Sequence, residues 1–140
     1  MDNSINLAVL LPIIPLGMTI FILILLRSFN RTINRLTKPM SYLSLFSLCL
    51  STLLSSYLLI NNVGGDIPLS QFFSGIENVN LVIHLNKLTE KIIIALGLIS
   101  SFVILYSVVK LPRQRGYVLY IVNIGMLTSF LILTSLVLDI

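Results

Sequence analysis

The chain has 140 residues, of which 56% are hydrophobic and only 10% charged, with nine Lys and Arg against five Asp and Glu. Soluble domains carry about 25% charged residues, so a water-soluble globular domain is excluded, and the apolar content excludes disorder. The single cysteine permits neither an internal disulfide nor a zinc site of several thiolates.

A membrane-spanning helix needs about 20 predominantly apolar residues, and four stretches meet that need: about 5–26, 42–60, 92–109 and 117–138. Lipid supplies no hydrogen-bond partners, so each is expected to be α-helical. The expected fold is an all-α membrane protein, one domain over 1–140, with four transmembrane helices and a short outward-facing β-hairpin. The first stretch follows an acidic start, Asp2, and precedes its basic residues, unlike a signal peptide, so it is read as a retained helix. Pro12 and Pro15 in its first half remove backbone donors and predict a bend.

The link after the first stretch holds Arg27, Arg31, Arg35 and Lys38. The link after the third holds Lys110, Arg113 and Arg115. Neither link contains an acid. The excess of cations places both links on the cytoplasmic or stromal side and both termini on the periplasmic or lumenal side. The cations are divided between membrane-flanking loops, so the expected partner is the bilayer and not nucleic acid.

Residues 61–91 form the longest link and the predicted outer loop. Asn61-Asn62 and Gly64-Gly65 mark a chain reversal. Alternating apolar residues from Asn78 to Asn86 predict a strand, with Gln71–Phe73 as its hairpin partner.

No ionisable group is expected deep in any span. Glu90 is read at the outer edge of the third helix, near Lys87 and Lys91, where long side chains reach the interface. Thr89 or Asn86 is the expected cap there. His84, the one histidine, reads as a surface packing residue, and Cys49 as an apolar one. Ser44, Ser47, Ser51 and Ser55, with Thr52, give the second helix a small-residue face, suited either to packing within the chain or to a partner subunit. In the fourth helix Asn123 is expected to hydrogen-bond another helix, with Gly125, Thr128 and Ser129 continuing its surface. Catalytic, cofactor-binding and metal-binding residues are all expected to be absent.

The order of motifs resembles a known family. "LLPIIPLG" is similar to the start of the large antiporter-like subunits of respiratory complex I. "NLVIHLNKLTEKIIIALGLISSFVILYS" resembles their hairpin strand and third helix, with Leu88, Thr89, Tyr106 and Ser107 at matching positions. "RGYVLYIVNIGMLTSFLILTSLVLD" resembles their fourth helix, matched at Gly116, Tyr117, Tyr120 and Met126. Within the family the likeness is to subunit 5 of the cyanobacterial and chloroplast NAD(P)H dehydrogenase complex, also lettered as its F subunit, over Val9 to Asp139. Asn86 stands where the family has an acid, with Lys87 beside it.

The family's membrane glutamate lies on the next helix. The resemblance therefore implies an accessory or shortened subunit without channel residues or cofactors of its own. It would support proton-pumping electron transport as a non-catalytic part of an NAD(P)H-quinone oxidoreductase. Its partners would be other membrane subunits, in a thylakoid or bacterial inner membrane. Two other classes fit four spans: an unrelated membrane assembly factor, and a small multidrug-type transporter, which resembles this chain less because its first helix carries a glutamate.

Overall fold

The computed structural model describes residues 6–68, 81–112, 114 and 116–138. A 3₁₀ turn, Leu7–Val9, leads into α1, Leu10–Ser28. The short α2, Asn30–Arg35, precedes α3, Thr37–Ile60. Strands β1, Gly65–Pro68, and β2, Val82–Leu85, come before α4, Lys87–Lys110, and α5, Tyr117–Val137. Among the described residues four helical segments are long and apolar enough to cross a membrane: Leu7–Ser28, Thr37–Ile60, Lys87–Lys110 and Tyr117–Val137. The chain is thus a multi-pass membrane protein whose helices α3 and α4 extend past their apolar centres. Charged Lys38, Lys87 and Lys110 sit exposed in their end turns.

The four long helices run up and down. Helix α5 touches the other three, whereas α1 and α4 are held apart by the α3–α5 pair. The spacing of small residues explains the close packing. On α3 the buried positions Thr37, Ser41, Ser44, Leu48, Ser51, Ser55 and Leu58 alternate steps of four and three. That 3.5-residue period keeps one seam facing its neighbours, and small side chains there let backbones approach. Gly97 on α4 meets the Thr52 methyl so closely that a Cβ would collide with it. Gly125 on α5 stands in the same relation to the Thr19 methyl of α1.

Helix α3 ends in a left-handed turn. Asn62 has φ of 50°, its N–H bonds Leu59 O at 3.2 Å, and Val63 N–H bonds Leu58 O at 3.1 Å. This is the paired hydrogen-bond pattern that closes a helix through an αL residue. The chain then enters β1, which pairs antiparallel with β2, Ile67 facing Ile83 and Asp66 facing His84. Ile67, Ile83 and Leu85 join Ala8, Leu11, Leu58, Ile93, Ile132 and Leu136 in one buried cluster, so the sheet seals that end of the bundle. At the opposite end Ile33 of α2 packs with Ile22, Met40, Val118 and Val122.

A strand does occupy 82–85, but its partner is Gly65–Pro68. Gln71–Phe73, the expected partner, lies outside the described residues. Pairing Ile67 with Ile83 buries both isoleucines, which is the physical gain that fixes the register.

Candidate functional site

The polar side chains of the spans divide into a buried set and an exposed one that includes Asn123 and Thr134. Ser41, Ser44, Ser47, Ser51 and Ser55 all turn toward the other helices and are buried. Four of the five lie on the heptad seam at the bundle's own centre, with Ser47 buried beside it.

Three of these hydroxyls, those of Ser41, Ser51 and Ser55, reach another helix, while Ser47 Oγ bonds Ser44 O of its own. Pro15 lies inside α1 and is buried. Having no N–H, it cannot donate to the carbonyl four residues back, that of Leu11. Ser51 Oγ of α3 donates to Leu11 O at 2.8 Å, filling that vacancy. Ser55 Oγ donates to Glu90 O at 3.2 Å and joins α3 to α4. Ser100 and Thr128 hydroxyls share a 2.8 Å bond between α4 and α5. Ser41 Oγ donates to Thr37 O at 2.8 Å and accepts from Tyr117 OH at 3.3 Å, between α3 and α5. Ser129 Oγ instead bonds Gly125 O of its own helix at 2.7 Å.

Glu90 overturns an expectation. Its side chain is not at the surface but 1% exposed, and Oε1 is buried without a hydrogen-bond partner, as is the neighbouring Thr89 Oγ1. The inward face of α4 runs through Glu90, Ile93, Gly97, Ser101 and Ile104, in steps of three and four that carry position 90 inside. Lys87 and Lys91 remain exposed. Asn86 takes the N-cap position. A carboxyl in such surroundings is the one acid that the described spans bury, and intramembrane acids are rare and costly.

On the outer face of the sheet, His84 Nδ1 and Asp66 Oδ1 lie 2.8 Å apart across facing positions. Cys49 is half-buried on α3 with a free thiol. Arg27, Arg31, Arg35, Lys38 and Lys110 are exposed at the bundle end away from the sheet. Arg113 and Arg115 lie outside the described residues.

Asn123 is an outer residue. It is exposed, whereas Gly125, Thr128 and Ser129 are buried, so these four do not form one surface. At about 100° per residue Asn123 lies roughly opposite Ile132, a residue buried at the centre of the inward face of α5.

No protein-family model matches the chain. It is similar to the NAD(P)H-quinone oxidoreductase subunit 5, organellar chromatophore 1, of Paulinella chromatophora, at 26% identity over 131 residues, covering 91% of this chain and 20% of that protein. The chain thus spans about a fifth of the length of the curated relative it matches. Its candidate membrane helices are those of a multi-pass membrane protein.

Proposed function

We propose that this chain is a membrane subunit of a complex I-like NAD(P)H-quinone oxidoreductase, with a structural part in the membrane arm. The observation that carries this reading is a similarity that runs through 91% of the chain and through all four candidate spans. In this reading the nicotinamide, electron carriers and quinone belong to other subunits. This chain supplies a close-packed bundle tied by buried hydroxyls, against which neighbouring membrane helices rest. The basic end faces cytoplasm or stroma, following the excess of Lys and Arg in its links. The membrane is a thylakoid or a bacterial inner membrane.

The test is to tag the chain, solubilise membranes in a mild detergent, and separate native assemblies. Dehydrogenase subunits identified by mass spectrometry in the same band are the expected result. A chain that migrates alone, or only with copies of itself, refutes the reading. Proton-coupled drug efflux by the purified chain in vesicles would favour the multidrug-transporter class instead.

A further inference from the structure

We infer that the outer face of α5, centred on Asn123, is where a transmembrane helix of a different subunit docks, presenting a hydrogen-bonding side chain to the Asn123 carboxamide. The inference deepens the proposed subunit role, and rests on it for the identity of the assembly alone.

Asn123 is the only Asn or Gln in the four spans. It is the seventh residue of α5, so its Cα lies about 9 Å along an axis that rises about 1.5 Å per residue. The 21 residues of α5 therefore cover about the 30 Å of a hydrocarbon core, and Asn123 falls inside it. Its neighbours on the same face are Leu119, Leu127 and Phe130, exposed by 45%, 63% and 55%. The side chain makes no hydrogen bond to any described residue.

A carboxamide carries two donor hydrogens and an acceptor oxygen. Left unpaired in hydrocarbon, such a group is costly. Apart from Ser44 Oγ and Thr89 Oγ1, the buried hydroxyls among the described residues avoid that cost within the bundle, often by bonding carbonyls of their own helix, as Ser101 Oγ does to Gly97 O at 2.7 Å. Asn123 is exposed on the outer face of α5, and where Asn61 Nδ2 donates to Tyr57 O of its own helix at 2.9 Å, Asn123 makes no such bond to a described residue. Its complement must come from outside, at the same depth, with both donor and acceptor capacity matched by a polar side chain on an otherwise apolar helix. The flanking leucines and Phe130 supply the packing surface around that bond.

Photocrosslinking in native membranes tests this. p-Benzoylphenylalanine replaces Leu127, one turn from Asn123, and adducts are mapped by mass spectrometry with Asn123 intact and with Asn123→Leu or Asn123→Gln. The expected adduct is with a helix of a different membrane polypeptide, close to a polar side chain. Its yield falls at least tenfold in Asn123→Leu, survives in Asn123→Gln, and falls likewise when that polar side chain is replaced. An adduct of two copies of this chain, labelling of lipid alone, or an adduct unchanged by Asn123→Leu overturns the inference. A carboxamide-dependent adduct with a polypeptide outside the dehydrogenase leaves the docking face standing and refutes the dehydrogenase reading.

Discussion

Ser51 is expected to matter only because Pro15 is where it is. Ser51 Oγ donates to Leu11 O at 2.8 Å, and Pro15, four residues after Leu11, has no N–H with which to do so. Both Ser51 and Leu11 are buried, at 1% and 0% exposure, so no water replaces the lost donor in Ser51→Ala. Leaving a buried carbonyl unpaired costs about 1–3 kcal/mol. Hydrogen bonds between membrane helices average about 0.6 and reach about 1.7 kcal/mol, so the expected loss is about 1–2 kcal/mol. That is a shift of roughly 5- to 30-fold in the unfolding equilibrium. In a Pro15→Ala background the alanine N–H reclaims the carbonyl, and Ser51→Ala then costs under about 0.5 kcal/mol. Cys49, the sole cysteine, lies two residues away and is half-buried. Its reaction with a fluorogenic maleimide during denaturant titration in micelles reads all four variants of the cycle. Equal costs for Ser51→Ala with and without Pro15 would refute the argument, since the hydroxyl would then be acting elsewhere.

Gly97→Ala forces a methyl against Thr52, and overpacking of this kind destabilises by about 1–3 kcal/mol. Thr52→Ser removes the opposing methyl while keeping the hydroxyl that donates to Cys49 O at 2.8 Å, so the double variant recovers most of the loss in the same assay. Glu90→Leu removes a buried acceptor that has no partner and raises stability by about 1–3 kcal/mol; a loss of stability would show that Glu90 holds a favourable contact. For sidedness, cysteines placed at Asp66 and at Lys110 in a Cys49→Ser background are expected to react with an impermeant maleimide from the periplasmic or lumenal side and from the cytoplasmic or stromal side, respectively. The reverse pattern inverts the membrane orientation.

Hydrophobic run length makes the four spans legible, because that property acts residue by residue and needs no partner. The strand at 82–85 is legible for the same reason: apolar alternation marks Ile83 and Leu85 as an inward pair. Its partner is hidden. Gly64-Gly65 reads locally as a turn, and only the packing of Ile67 on the core makes 65–68 a strand. The helices outrun their apolar stretches, since charge marks where hydrocarbon stops and not where the backbone uncoils. Glu90 misleads for a related reason. Its charge suggests the interface, while its spacing from Ile93 and Gly97 puts it on the buried face of α4. Grouping Asn123 with Gly125, Thr128 and Ser129 treats neighbours in sequence as neighbours on a surface. Two residues along a helix are about 200° apart, and that arithmetic alone separates Asn123 from Gly125.

The separation has a chemical logic. A serine or threonine hydroxyl has one hydrogen to give, and a helix offers its own carbonyls three and four residues back, as Thr128 Oγ1 uses Ile124 O at 2.7 Å. Such residues enter an apolar bundle without a cost that another protein must offset, and where one reaches a neighbouring helix it ties the two together. A carboxamide has more capacity than its own helix satisfies here, and on an outer face the rest is open to a second polypeptide. Stability and assembly should therefore come apart on substitution. Ser51→Ala weakens the bundle through a carbonyl that no neighbour outside the chain can reach. Asn123→Leu leaves the bundle intact, because an apolar side chain is as well solvated by lipid as Leu127 beside it, and removes only what another subunit would recognise.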